Sequence, residues 1–380
     1  MWYENPLYVG GLLCLIIVAS VWLAKFKGFK LAGSPILVIL ICAVVSNLGL
    51  LPSGASEQPI YTGVFTYVAP LSIFILLLEV NLKSLRKAGT PMLLLFLVGA
   101  FATMAGVLIS YFIIHPEKSI GTLAPAIAGL YTGTYIGGSI NFNAIALHYG
   151  VMQDGELFAA TTVVDNIVGT PWIIVALLLP RWLQKIRPSK RTGISNLDNT
   201  LHKMGEQQIN VTSLGIMIGV GMMVIFIAQT IQQQFPKIPS VLVLTTFALL
   251  IAQLPQVKKV KGLHTIGLFL TLIFLGVIGT LCDLGMLVES GEKAGVLLGF
   301  AGLAVLLHGI LLFGVTALFN ADWDLAGMAS LTNIGGTTTA IAGSEGLNRP
   351  DLLLPGILVG SLGNALGTYA GFAVAGWLGG

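Results

Sequence analysis

Asp165 and Asn166 stand side by side in the middle of an apolar run, where an ionisable group is costly enough that its presence argues for a role. Thr161, Thr162 and Gly169 lie three and four residues away, so a helix puts them on the face of the Asp-Asn pair, with Thr170 one position on. Carboxylate, carboxamide and hydroxyl oxygens gathered on one face suit a hard cation such as Na+, and a lone carboxylate also suits a proton carrier. The pattern returns 198 residues later as Gly363-Asn364, followed by Gly367 and Thr368. Asp165 is therefore expected to serve as a cation ligand or proton carrier. Asn166 and Asn364 are expected as pseudo-symmetric ligands, with Thr162, Thr170 and Thr368 as weaker ones.

A second polar set precedes each of these helices. The stretch "TGTYIGGSINFNAIALHYG" (132–150) brings Thr134, Gly137, Gly138, Ser139, Asn141 and Asn143 into an apolar context, and "LTNIGGTTT" (331–339) brings Asn333, Gly335, Gly336, Thr337, Thr338 and Thr339. Paired glycines permit a break in a helix, and a break at membrane depth is tolerated only where protein or water satisfies the freed peptide groups. Exposed amides and half-helix ends at such a break suit an anionic group, while exposed carbonyls suit Na+. These two clusters are the expected solute-binding residues. Small and hydroxyl residues also serve plain interhelical packing, which accounts for any one of them taken alone.

The elements that must carry these residues are membrane helices. Hydrophobic residues make up 55% of the 380 and charged residues 9%, and the apolar runs are continuous rather than alternating, which excludes a β-barrel. The first run, 7 to 24, carries no basic region before it and reads as a retained helix rather than a cleaved signal. At about 20 residues per crossing, segments fall near 7–24, 31–51, 60–80, 92–114, 120–150, 156–180, 211–230, 238–254, 263–287, 294–319, 324–346 and 351–378. If all twelve cross, the nineteen Lys and Arg divide nine to ten between the two faces. If 120–150 and 324–346 instead enter and leave by one face, sixteen fall on one side and only Lys118, Lys237 and Lys293 on the other. That is the positive-inside pattern. It predicts an all-α polytopic protein of ten spans and two re-entrant hairpins, multi-pass in a bacterial cytoplasmic membrane, with both termini outside.

The hairpins also align with each other. Residues 128–170 match 326–368 without a gap, with "AGLYTGTYIGGS" over "AGMASLTNIGGT" and "DNIVGT" over "GNALGT". The predicted topology places the two copies on opposite faces, so the halves are inverted repeats, the pattern of an alternating-access transporter. The expected organisation is a first repeat at 1–180, a cytoplasmic linker at 181–209 and a second repeat at 210–380. "LEVNLKSL" and "LCDLGMLV" echo each other more weakly and set Asn81 against Asp283. Glu79, Asn81 and Asp283 lie near span ends and read as interfacial residues, His308 as a core histidine, and Glu345 and His148 as outlying candidates. Cys14, Cys42 and Cys282 all fall in or at the end of apolar runs, so neither a disulfide framework nor a zinc site is suggested.

A Gly-Gly hairpin followed by a helix with a central polar pair resembles the sodium/glutamate symporters and, more distantly, the citrate symporters and cation–proton antiporters. The whole chain resembles more closely a bacterial family catalogued as domain of unknown function 819. The resemblance implies a mobile transport domain that holds the hairpins and a separate scaffold, often in a homodimer. The paired acidic centre of the antiporters is represented here by Asp165 followed by Asn166, and the His of the symporters' Gly-Gly-His-Gly motif by Ser139 and Ile140 or by Thr337 and Thr338. The expected function is secondary active transport of a small polar or anionic solute coupled to Na+, with no other cofactor and no nucleic-acid partner. A cation/H+ antiporter using Asp165 is the alternative. No Walker A motif, no His-Glu-x-x-His and no second clearly buried Asp accompany these residues, so an ATP-driven pump and an intramembrane protease are not expected.

Overall fold

A computed structural model describes residues 5–26, 29, 33–52, 58–189, 209–236, 238–281 and 291–379. The described chain is helical throughout: α1 (Pro6–Leu23), α2 (Gly33–Asn47), α3 (Pro59–Leu77), α4 (Thr90–Ile114), α5 (Ala124–Gly137), α6 (Ser139–His148), α7 (Gly155–Ile186), α8 (Val211–Gln234), α9 (Ser240–Ala252), α10 (Leu263–Leu281), α11 (Gly291–Leu318), α12 (Trp323–Gly335), α13 (Thr339–Gly346) and α14 (Leu353–Trp377). Side-chain caps fix several starts: Asn5 accepts from the Leu7 amide, Asp154 from Leu157, Asn210 from Ser213 and Asp322 from Asp324. Eight of the helices are long and apolar enough to cross a membrane, and α2 and α9, of 15 and 13 residues, are shorter apolar helices. Each of the two short ones lies between two of the long ones in the chain. Asp283, Cys282 and most of the linker, 190–208, lie outside the described residues, and the linker's first residues, 181–186, continue α7 as a helix.

The chain reverses at both glycine pairs. A Cβ built on Gly133 would lie 2.6 Å from Ile145 Cδ1, and one on Gly129 would lie 3.4 Å from Ile145 Cγ2. In an unbroken helix, 16 residues would separate Gly129 from Ile145 by roughly 24 Å. The contact therefore requires α6 to fold back along α5. In the second half a Cβ on Gly343 would lie 2.8 Å from Met328 Cε and 3.0 Å from Leu331 Cδ1, so α13 folds back along α12. The first arm of each hairpin is enclosed: every residue of α5 is buried, and in α12 every residue but Gly335. That enclosure by protein is what lets a broken helix sit at membrane depth.

The helices form two groups. In one, α10 lies against α2 and α3, α1 against α2, and α8 and α9 against each other and α3. In the other, α4 lies against α11, α5 against α14, and α12 against α7, α4 and α5. The first group is thus α1 to α3 with α8 to α10, and the second α4 to α7 with α11 to α14. The outward faces carry Leu15, Trp22, Phe101, Phe226, Leu250 and Phe319 with 57–80% of their surface exposed, an apolar exterior that suits lipid rather than water. Cys42 is buried and Cys14 is exposed on this outer surface.

Small residues set the closest approaches. A Cβ on Gly137 would overlap the Gly363 carbonyl group, and one on Gly363 would overlap the Ile136 carbonyl oxygen. Along the same seam a Cβ on Gly129 would lie 2.8 Å from the Gly371 carbonyl oxygen, and its counterpart in the other half, Gly327, meets Ala176 and Pro180 of α7. Arg349 clasps the base of the second hairpin, reaching Asp351 at 2.7 Å and both Asp322 and Asp324 at 3.3 Å.

Two outcomes are expected. In a cysteine-free background, Lys118→Cys and Gln153→Cys should label from the same membrane face and Asn320→Cys from the opposite one; labelling of the first two from opposite faces would mean that 120–150 crosses. Gly363→Ala should lower stability by about 2–3 kcal/mol, because the obstructing atoms are backbone, and Gly376→Ala, with nothing within 4 Å of its Cβ, should leave it unchanged or slightly raised. Thermal unfolding in detergent measures both.

Candidate functional site

The two breaks meet. Gly138 has φ 94° and Gly336 φ 68°, conformations that L side chains rarely adopt, so glycine is required at the turn of each hairpin. A Cβ on Gly336 would lie 3.3 Å from the Gly137 carbonyl oxygen and 3.7 Å from the Gly138 Cα, so the tips are in van der Waals contact. The starts of α6 and α13 both lie at this junction. Their first amides lack intrahelical acceptors, as at any helix start.

A cavity of about 460 Å³ opens beside the tips. Its inner wall is made by Thr134, Gly137, Gly138, Ser139 and Asn143 of the first hairpin and by Gly335, Gly336, Thr337, Thr338 and Thr339 of the second. Behind them α7 contributes Thr162, Asp165, Asn166 and Thr170, and α14 contributes Asn364. Asp165 lies ten residues into α7, about 15 Å from its start at 1.5 Å per residue, which is half the thickness of a bilayer core. Ser139, Asn143, Thr170, Thr337 and Asn364 make no side-chain hydrogen bond to the protein among the described residues, so their polar atoms are available to the cavity. Asn166 and Thr162 are anchored to their own helix, Asn166 Nδ2 to the Thr162 carbonyl at 2.9 Å and Thr162 Oγ1 to the Phe158 carbonyl at 2.8 Å. Thr339 Oγ1 is held by the Leu331 and Gly336 carbonyls.

Three of the expected residues do not line the cavity, and each is occupied by packing. Asn141 spans the seam between the first hairpin and α14: its Nδ2 donates to the Gly363 carbonyl at 3.2 Å, and its Oδ1 accepts from the amide and the hydroxyl of Thr368 at 3.1 and 2.8 Å. Thr368 is thereby the partner of Asn141. Asn333 donates to the Phe96 and Ala329 carbonyls, and its Oδ1 is buried without a partner.

The cavity leads to one end of the bundle. His264, Leu268, Thr271 and Leu275 form its outer wall at helical spacing along α10, and Gly33, Pro35, Glu79 and His264 form its mouth. Glu79 Oε2 and His264 Nδ1 face each other there at 3.4 Å. Lys83, Arg86 and Lys87 follow Glu79 in the chain, and Lys258, Lys259 and Lys261 precede His264, so the mouth lies at the basic end. Phe142 and Phe158, edge to face at 5.4 Å and both buried, also line it. Glu79 thus has a place at the site that its position at a span end did not suggest, and His264 had no sequence signal beyond its neighbouring lysines.

A buried polar chain lies behind the hairpins. Trp172 Nε1 donates to Ser330 Oγ at 2.9 Å, Ser330 Oγ meets His308 Nε2 at 3.0 Å, and His308 Nδ1 meets the Gly99 carbonyl at 3.1 Å and Thr103 Oγ1 at 2.9 Å. Thr103 Oγ1 donates in turn to the Tyr135 carbonyl at 3.0 Å. A carbonyl only accepts, so Nδ1 carries the proton and Nε2 accepts from Ser330; every bond is satisfied with a neutral ring. The chain ties both hairpins to α4, α7 and α11, which makes His308 a core histidine with a positioning task.

The fold and site together define an all-α, multi-pass membrane protein in which two hairpins meet at a polar cavity halfway through the bundle. The chain belongs to the family described as "Protein of unknown function (DUF819)", whose profile matches residues 11–379. It is 27% identical over 373 residues, covering 93% of this chain and 91% of the relative, to the uncharacterized membrane protein YjcL of Bacillus subtilis (strain 168).

Ser330→Ala should strand two buried nitrogens, Trp172 Nε1 and His308 Nε2, and lower stability by about 2–3 kcal/mol. Chemical or thermal unfolding reads the loss, and an unchanged midpoint would show that the chain does not hold the hairpins.

Proposed function

We propose that this protein is a secondary active transporter that moves a small polar or anionic solute together with Na+ by alternating access. The observation that carries the reading is a polar cavity that, among the described residues, runs from the Glu79–His264 mouth to mid-depth, where the tips of two hairpins touch. The positive-inside rule makes the basic end cytoplasmic, so the conformation described is inward-open, with both termini outside a bacterial cytoplasmic membrane. The half-helix starts at the tips and the free Ser139, Thr337 and Asn364 side chains suit a solute with polar or anionic groups. Asp165 and Asn166 suit the coupling ion.

The division into two helix groups supports a mechanism in which the hairpin-bearing group slides along the other. Two further clefts, of about 310 and 280 Å³, lie along the same seam, where Thr62, Phe65 and Thr66 of α3 face Leu147 and His148 of α6. Near them α3 contains a π-helical turn, Val64–Val68, of the kind that recurs at functional sites. A shift along this seam gives the tips a route to the outer face. Neither ATP nor a covalent intermediate enters this scheme, and a non-enzymatic role follows from it. The solute and the bilayer are the partners, and a homodimer through the scaffold group is compatible with its apolar outer face.

In proteoliposomes with an inward Na+ gradient, uptake should appear for a member of a panel of amino acids, short peptides and carboxylates. Asp165→Asn should reduce it at least tenfold, about 1.4 kcal/mol of coupling. Unchanged uptake in that variant would remove Asp165 from the site. Cation exchange driven by pH without any organic solute would instead support the antiporter.

A further inference from the structure

Two buried hydroxyls beside Asp165 have no task in the scheme so far. Tyr131 and Tyr135, one helical turn apart on α5, stack with ring centroids 5.7 Å apart and planes within 2°. Tyr131 is held edge-on by Phe300 of α11 at 5.5 Å, and the Tyr135 backbone is held by Thr103. Both side chains are almost completely buried, at 0% and 1% exposure; the Tyr131 hydroxyl has no hydrogen-bond partner, and the Tyr135 hydroxyl has the Asp165 carboxylate as its neighbour without a well-formed hydrogen bond to it. Burying an unpartnered hydroxyl is unfavourable, and phenylalanine would fill the same space without that cost. The Asp165 side chain lies against Thr134 and Tyr135, with Tyr131 in electrostatic range of the same carboxylate.

We infer that Asp165, Thr134 and Tyr135, with Tyr131 behind them, form a binding site for a dehydrated alkali cation at the inner wall of the cavity. A phenol can aim its proton at the carboxylate and still offer lone pairs to a cation, so one hydroxyl meets both needs. All the donors are oxygen, which selects a hard ion. A single carboxylate balances a single positive charge, and among the described residues no cluster of three His, Cys, Asp or Glu forms that would hold a divalent or transition metal. Rigid aromatic packing fixes the spacing of the oxygens, as selection by size requires. The site is set apart from the tip residues, so ion and solute share Thr134 and Asp165 at their boundary and need not compete.

This inference rests on the transport reading only for its purpose; the site itself is testable by binding. Thermal unfolding of the purified protein at fixed pH and ionic strength, with NaCl exchanged for choline chloride, should show stabilisation that saturates with Na+. Tyr135→Phe should raise the Na+ concentration for half-maximal stabilisation about tenfold, while its midpoint in choline stays at or slightly above that of the parent. Tyr131→Phe should shift the Na+ response in the same direction by less. A parent that does not respond to Na+, a Tyr135→Phe variant with an unaltered response, or one equally destabilised in Na+ and choline overturns the site. Loss of the Na+ response in proteoliposomes that still accumulate solute would sink this inference and leave the transporter standing. An intact Na+ response with no solute uptake would do the reverse.

Discussion

A peptide group that leaves a helix inside a bilayer must find a partner within the protein, and the rest of this architecture follows from where two such departures are placed. The first is closed by contact with α14. Gly137 approaches the Gly363 backbone so nearly that neither position admits a Cβ, and Asn141 stitches the returning arm to Gly363 and Thr368. The second departure does not repeat this contact. The three atoms nearest a Cβ on Gly335 all belong to Thr339 of its own hairpin, although the alignment of 128–170 with 326–368 pairs Asp165 and Asn166 with Gly363 and Asn364. In one half the position beside the tip is a glycine and the seam is shut. In the other it is an aspartate and the seam is open. The cavity at the tips lies on the side of that aspartate.

The hairpins were legible because their signals are chemical and global at once. Paired glycines among hydroxyl residues marked the breaks, and the distribution of Lys and Arg required that two segments fail to cross. Position along the chain does not say which neighbour a buried amide will face, and for that reason Asn141, Asn333 and Thr368 were indistinguishable from Asn143 and Asn364. Asn141 and Asn333 meet backbone across a helix seam and Thr368 meets the Asn141 side chain; the other two meet the cavity. Tyr131 and Tyr135 carried no signal, since nothing in a sequence reports that a hydroxyl lacks a partner. Glu79 and His264 were missed for a related reason, as the mouth of the cavity joins the end of α3 to the start of α10, 185 residues apart.

The polar networks define which parts must keep their relation when the protein changes state. The chain from Trp172 through Ser330 and His308 to Thr103 runs entirely within the hairpin-bearing group, as do the Asn141 seam and the Arg349 clasp. Breaking any of them would leave desolvated polar atoms, so this group resists internal rearrangement. The other group has its own ties, such as Gln253 bridging the Val80 carbonyl and the Leu82 amide. Across the seam α10 meets α7, and α9 meets α6 and α14, in contacts that carry the Thr246 to Tyr369 hydroxyl pair at an exposed position. A single hydroxyl pair is a smaller tie than a buried network of several bonds. Motion is therefore least expensive as a displacement of one rigid group against the other. In the transport scheme we propose, such a displacement would carry both hairpin tips, Asp165 and the two tyrosines together, so that a cation and a solute bound there would cross the membrane without their ligands changing places.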